Sequence, residues 1–407
     1  MSGEHLRVTG VAAGGDGVGR TAEGKVVFLP GALPGETVTF APVEERRSFT
    51  RGVVTSIVEA SVDRRRPPCP YVAEGCGGCD WQHVAPPAQP GFKAQVVIDA
   101  LERIGGIGDP LVEPGEALSA EGHRTTVRCG IVDGRAAYRR RASHDLLAVE
   151  RCLVAHPLVD ELITEGRFGG ATEVTLRAGA RTGERLVLAH PSAQCVVVPD
   201  DVIVVGTDEL RNGRRAWYHE EVAGRRYRIS ATSFFPARPD GAEALIDAAR
   251  RATAADGPPD GALIDLFCGV GLFAGALGAG RPVVAVERHG PAVHDARHNL
   301  SGHRGGKNPV KVVRAGLDRW RPSPADVVIA DPARSGLGRR AVTQVAATGA
   351  RRVVLVSCDP ASLGRDARLL ADAGYRFMGS TLVDLFPHTA HVEVVTRFDL
   401  EGPVEGG

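Results

Sequence analysis

The chain has 407 residues, with 49 basic and 49 acidic side chains and therefore no formal net charge. At ~100–200 residues per domain the length suggests two or three domains, and 43% apolar residues are enough for real cores, which excludes wholesale disorder. Balanced charge argues against a protein held on nucleic acid by bulk charge alone, but not against a local basic surface. The start, MSGEHLRVTG, has no apolar targeting segment, and no run approaches the ~18 apolar residues of a membrane span, so a cytoplasmic protein with no membrane partner is expected. Lysine occurs only at 25, 93, 307 and 311, and the other basic residues are arginines. Arginine suits phosphate forks and base stacking, although a GC-rich genome gives the same excess.

In chain order, residues 1–62 read as a small β-barrel. LRVTGVA, KVVFLP, ETVTFAPV and GVVTSIV are short strand-like runs separated by glycine- and proline-rich or charged turns. A proline-stiffened joint, Arg64–Pro68, opens a segment over 63–232 that is expected to form a mostly β central domain. It begins with Cys69, Cys76 and Cys79, and helical spacing of Val96, Val97, Ala100, Leu101 and Ile104 predicts a helix over 91–104. RTTVRCGIV, AAYRRR and TEVTLRA then read as strands. Over 233–407, ALIDLF, PVVAVE, VKVVRA, DVVIADP and RRVVLVS are apolar runs with helix-like stretches between several of them, the alternation of an α/β fold with a parallel sheet.

Eight cysteines with no secretory signal read as thiols, ligands or a nucleophile rather than a disulfide framework. Cys69-x6-Cys76-x2-Cys79, with Cys152 as a fourth ligand, suits structural zinc or an iron–sulfur cluster, and spacing does not separate the two. After the strand at 262–264, Asp265-Leu-Phe267-Cys-Gly269-Val-Gly271 is a glycine turn that lets a ligand approach the backbone. Glu287 closes the next strand, where a carboxylate takes ribose hydroxyls. Asp265 favours S-adenosylmethionine, because a carboxylate faces that molecule's amino group but repels a pyrophosphate. Three further segments reach the same sheet edge: Asp331–Gly336, Ser357–Pro360 and Phe386–Glu393. A cysteine and a glutamate there suit covalent attack with proton removal.

DLFCGVGLF, DPARSG, SCDP and FPHTAHVE, in this order, closely resemble the signatures of the RNA uracil-5-methyltransferase family, and the resemblance spans nearly the whole chain. The N-terminal glycine-rich barrel resembles a TRAM domain, and CPYVAEGCGGCDWQH resembles the iron–sulfur segment of the family's ribosomal RNA branch. The resemblance implies a Rossmann-like S-adenosylmethionine-dependent domain and a [4Fe–4S] cluster on Cys69, Cys76, Cys79 and Cys152. It also implies a structured RNA substrate, with 23S ribosomal RNA favoured over transfer RNA, and a monomer is expected. Cys358 is then the nucleophile that adds to uracil C6, and Glu393 the base that removes the C5 proton. Asp265, Phe267, Gly269, Gly271, Glu287, Asp331 and Pro236 line the cofactor site. Arg334 holds the loop or a phosphate, while His388 and His391 pack and bond within their loop. Phe267 and Phe235 are expected to pack in the core, with stacking of the flipped base on either as the alternative role.

Two positions depart from the family pattern. Pro236 stands where a glutamine is usual, with Arg238 at the following asparagine position, and Gly316 stands where an acid usually meets adenine, with Asp318 two residues late. These departures motivate a competing reading, a non-catalytic RNA-binding or ribosome-assembly protein. A dinucleotide oxidoreductase, suggested by G-x-G-x-x-A and Glu287, is disfavoured by Asp265. Amino-group methylation is disfavoured because DPARSG lacks an aromatic residue.

Overall fold

The computed structural model describes residues 5–254, 261–303 and 309–401. Lys307 lies outside them. The N-terminal strands β1 (His5–Val11), β2 (Gly17–Arg20), β3 (Val26–Leu29), β4 (Thr37–Glu45) and β5 (Phe49–Glu59) close into a barrel in the order β1-β2-β3-β5-β4. Alternation builds it: Leu6 and Val8 point inward from β1 while His5 and Arg7 face out, and Val27, Leu29 and Val38 complete the core. Strand β2 falls in the glycine-rich stretch between LRVTGVA and KVVFLP, where a turn is expected. Its Gly17 and Gly19 leave no room for side chains against Ala32 and Leu6, so glycine here marks close packing.

Helix α1 (Gln89–Ala100) continues as one π-type turn over Leu101–Gly105 and stops at Gly106, whose φ is +71°. The predicted helix is thus present and begins two residues earlier. It packs on the C-terminal domain, not on the central sheet, and the short strand β6 (Val112–Pro114) adds to the edge of the C-terminal sheet. The central sheet contains β7 (Thr126–Val132), β8 (Arg135–Arg139), β9 (Leu146–Ala148), β11 (Glu173–Ala178), β12 (Arg185–His190) and β14 (Val202–Gly206), in the order β14-β12-β11-β7-β8-β9. Helix α2 (Pro157–Glu165) covers it with Val159, Leu162 and Ile163. A two-residue pair, β10 (Arg167–Phe168) with β13 (Val196–Val197), and the short helix α3 (Thr207–Arg211) finish this part.

Strands β15 (Trp217–Val222) and β16 (Arg225–Ser230) form a hairpin around Ala223-Gly224, both at positive φ, as a two-residue turn of the primed type requires. Its Tyr218, Val222, Tyr227 and Ile229 share one core with α4 (Pro239–Ala254) and the sheet beyond. That sheet comprises β17 (Leu263–Leu266), β18 (Val283–Glu287), β19 (Val310–Arg314), β20 (Val327–Ala330), β21 (Arg352–Ser357), β22 (Tyr375–Leu382) and β23 (Val394–Leu400). Its order is β19-β18-β17-β20-β21-β23-β22-β6, with only β23 antiparallel to its neighbours. Helices α4, α5 (Leu272–Leu277) and α6 (Gly290–Asn299) contribute to the core on one face. Helices α1, α7 (Gly338–Ala346) and α8 (Pro360–Asp372) contribute to the core on the other. Strands such as β20 and β21 are buried along their whole length, which is why they read as unbroken apolar runs. Strand order reverses between β17 and β20, the crevice where open α/β sheets bind ligands.

Candidate active site

The β17–α5 turn is built on three consecutive odd positions of positive φ: Phe267 at +61°, Gly269 at +54° and Gly271 at +90°. A Cβ at Gly271 would meet the Leu300 side chain at 3.2 Å, whereas one at Gly269 meets nothing, so the space above Gly269 is open to a ligand. Phe267 is a non-glycine residue held in the left-handed region, a conformation that persists only where its surroundings impose it. The Gly269 N–H donates to Glu287 Oε2 at 3.1 Å, and the Arg288 and His289 N–H groups donate to Oε1, each at 2.7 Å. The carboxylate at the end of β18 is thereby fixed beside the turn.

Asp265 is fully buried in β17. Its Oδ2 accepts from the Ala274 N–H at 2.8 Å, while Oδ1 is buried without a partner. Burial, reinforced by the nearby Asp331 and Glu287 charges, pushes it up to about 8. An orphaned acid oxygen beneath a glycine turn calls for a donor or a cation from a ligand.

The strand register assembles the second cluster. Ser357 of β21 pairs with Val394 of antiparallel β23, so Cys358 leaves one strand beside Glu393 entering the other. Ala330 of β20 pairs with Leu266 of β17 and Leu355 of β21, which sets Asp331 at the same edge, its N–H on the Leu266 carbonyl at 3.3 Å. Helix α8 starts directly after this cysteine: the Asp359 side chain caps Ser362 N at 2.7 Å and Pro360 takes the first helical position. Burial raises Asp331 to about 7, and burial together with Asp331 lifts Glu393 well above the carboxylate range. Ionising one of these carboxyls disfavours ionising the other. Cys358 is half-buried and pushed up to about 11 by desolvation and by Glu393 and Asp331, with Arg334 pulling the other way. Arg334 lies 3.5 Å from His391 Nδ1 at the exposed rim.

The remaining expected residues divide. Phe235 is 4% exposed and packs on the Tyr227 ring, so it belongs to the core and is not a platform for a base. Its neighbour Phe234, passed over in the sequence, is 72% exposed. Pro236 is half-buried in the loop over 231–238 and offers only a ring and a carbonyl. Arg238, at the family's asparagine position, is fully buried and committed to structure: it grips Asp240 with two nitrogens at 2.8 and 2.6 Å and donates to the Ser119 carbonyl at 2.9 Å. A side chain at Gly316 would collide with the Asp318 carboxylate, so that acid folds back over the position where the family carries one. Sequence reasoning also missed Gln89 and Lys93, which contact the loop before Glu393, and Asp384 within that loop. Lys93 was findable: it sits on the apolar stripe of α1 with Val96, Val97 and Ala100.

Cys69, Cys76, Cys79 and Cys152 line one cavity of about 30 Å³ with Tyr71, Tyr138 and Arg124. Burial pushes Cys79 up to about 12 and raises Cys76. Tyr138 Oη is buried there without a partner. The all-thiol set suits a thiophilic centre. Among the described residues, however, no group of three or more His, Cys, Asp or Glu side chains is arranged to hold a metal ion, so the expected ligands are gathered but not closed around one ion.

No helix among the described residues is long and apolar enough to cross a membrane. Residues 4–41 match the TRAM domain model. A Streptomyces avermitilis protein described as an uncharacterized RNA methyltransferase is 37% identical, the match covering 95% of each chain. A Streptomyces coelicolor protein of the same description is 36% identical over 96% of this chain and 91% of its own. Among solved structures, a Pyrococcus abyssi tRNA (uracil-54, C5)-methyltransferase in complex with S-adenosyl-L-homocysteine superposes with a TM-score of 0.72. It is 23% identical, and the match covers 98% of this chain and all of that one. That last likeness establishes a shared fold, and the Streptomyces relatives establish the family: this chain belongs to the RNA methyltransferases.

Proposed function

We propose that this RNA methyltransferase transfers the methyl group of S-adenosylmethionine to C5 of a uridine in a structured RNA, through a covalent bond between Cys358 and C6. The observation that carries the reading is the Ser357–Val394 pairing, which sets a thiol and a carboxyl side by side at the mouth of the ligand crevice. Amine methylation has no use for such a nucleophile.

The unpaired Asp265 Oδ1 would accept from the methionine amino group, and Glu287 would take the ribose hydroxyls. Asp318 would stand in for the acid absent at Gly316 beside adenine. Cys358 enters as a thiol, held protonated by burial and by its acidic neighbours; it would release its proton to water, the cationic methyl donor and Arg334 favouring the thiolate. The thiolate forms a bond to C6, and the C5–C6 π electrons move into an enolate. C5 then attacks the methyl carbon, whose bond to sulfur breaks to leave S-adenosylhomocysteine. Glu393 takes the C5 proton, the enolate collapses, and the C6–S bond breaks to return the thiolate. Glu393 must be ionised for its step, so any proton it shares with Asp331 has to leave it before the C5 proton is taken.

The target base has to leave its stack, which costs least in a loop. The barrel together with the cysteine segment favours ribosomal RNA as the first substrate to test, with transfer RNA as the alternative, and one chain contains every group the scheme uses. The thiols of Cys69, Cys76, Cys79 and Cys152 would hold a [4Fe–4S] cluster, which would brace the central domain. Iron and acid-labile sulfide in protein isolated without oxygen test that assignment, and a metal-free folded protein overturns it. For the chemistry, Glu393→Gln is expected to stall after methyl transfer, so that an RNA–protein adduct carrying labelled methyl survives denaturation. Cys358→Ala should form none. Absence of both adduct and 5-methyluridine with ribosomal and transfer RNA would overturn the reading. Lack of any S-adenosylmethionine binding by calorimetry would favour the non-catalytic alternative that Pro236 suggests.

A further inference from the structure

Between β22 and β23 the chain runs through residues 383–393 without regular structure, and this stretch ends on Glu393. Its shape is imposed from outside, chiefly by one face of α1. Lys93 is fully buried; its Nζ donates to Asp384 Oδ1 at 2.6 Å and to the Phe386 carbonyl at 3.0 Å, and lies 5.9 Å from the Trp81 ring centroid. One turn earlier, Gln89 is also fully buried. Its Oε1 accepts from the His388 N–H at 2.6 Å, while Nε2 meets His388 Nδ1 at 3.2 Å and donates to the Val84 carbonyl at 3.0 Å. Residues four apart on a helix share a face, so the two side chains grip one loop at two points.

The grip is completed by the segment just past Cys79. The Trp81 N–H donates to the His388 carbonyl at 2.8 Å, and the Asp80 carboxylate accepts from the Ala390 N–H at 3.2 Å. His388 is thereby held at φ +65°. A buried lysine is expensive beside Val96, Val97 and Ala100, and a leucine or methionine would pack α1 more cheaply. What the lysine adds is a fixed bond to the loop that carries the base.

We infer that Gln89 and Lys93 are positioning residues: through Asp384, Phe386 and His388 they place the Glu393 carboxylate for removal of the C5 proton. The inference rests on the uridine C5 reading. A misplacement of ~1 Å at a reacting group is enough for about a hundredfold in rate.

The test uses the full chain and an RNA that the wild type methylates. Lys93→Met, Gln89→Ala and the double variant Lys93→Met/Asp384→Asn, which removes both charges together, are compared with Lys93→Arg. The expected result is turnover lowered about a hundredfold, with KM for RNA and for S-adenosylmethionine changed less than about twofold and partial recovery in Lys93→Arg. The decisive readout is accumulation of a methylated RNA–protein adduct, because C6 addition and methyl transfer proceed while proton removal lags. A purely structural role predicts loss of folding and cofactor affinity with no adduct. If Lys93→Met fails to fold, Gln89→Ala and the charge-balanced double variant decide. Wild-type turnover in a folded double variant, or slow turnover without adduct, overturns the inference. A wild type that makes no 5-methyluridine overturns the reading beneath it instead.

Discussion

A fully buried acid with one unpaired oxygen should make the unliganded protein pH-sensitive, and Asp265 is such a group. Its ordinary value is 3.8 and its folded value about 8. Between these the folded chain keeps a proton that the unfolded chain has released, so its contribution to stability falls as pH rises through that interval. Asp265→Asn should therefore stabilise the ligand-free protein at pH 8 by about 0.5–2 kcal/mol, the range typical of relieving a functional site. The gain should vanish below about pH 4, where both states of the aspartate are neutral. An asparagine Oδ1 still accepts the Ala274 N–H, so the fold is kept, but the anion proposed to face an amino group is gone. Thermal unfolding at pH 4 and pH 8, with calorimetry of S-adenosylmethionine, checks both halves. Unchanged affinity, or a lower Tm at pH 8, would refute the assignment.

Elements were legible in the sequence wherever burial is one-sided or complete. Barrel strands alternate, and β17, β18, β20 and β21 are continuous apolar runs, so both patterns pointed to the right structure. The glycine turn and the strand-end acids were legible because their chemistry depends on residue type at a fixed spacing. Long-range pairing was not. Nothing local says that β6 joins the C-terminal sheet, or that the hairpin β15–β16 shares a core with α4. Asp295 shows how such a junction is made. It is fully buried on α6 and accepts from Arg228 Nε at 2.9 Å, the Ser230 N–H at 2.8 Å and Ser233 Oγ at 2.6 Å. One carboxylate thus ties the hairpin and the loop over 231–238 to the methyltransferase sheet, although these groups are far apart in the chain. The same limit hid the grip of α1 on the loop before Glu393: residues almost three hundred positions apart meet only once the sheet is assembled.

At the scale of the molecule, arginines cluster along the chain at 64–66, 139–141 and 225–228. Several of these side chains are tied to groups of the fold. Arg64 Nη2 bonds Glu36 at 2.8 Å, Arg65 Nε donates to the Gln82 carbonyl at 3.1 Å, and Arg140 to the Glu74 carbonyl. Arg226 pairs with Glu184 at 2.6 Å and Arg228 with Asp295 at 2.9 Å. Side chains held this way neutralise few phosphates, so counterion release is a small part of binding. With zero net charge overall, the proposed function puts the affinity in the shape of one folded RNA and in the flipped base. The expected consequence is a shallow salt dependence on unrelated single-stranded RNA: log K against log salt with a slope no steeper than about −3, the value for about four phosphate contacts. A filter or fluorescence titration between low and physiological salt measures it. A slope several units steeper would mean that the arginines leave their partners to meet phosphate, and that recognition begins with charge rather than shape.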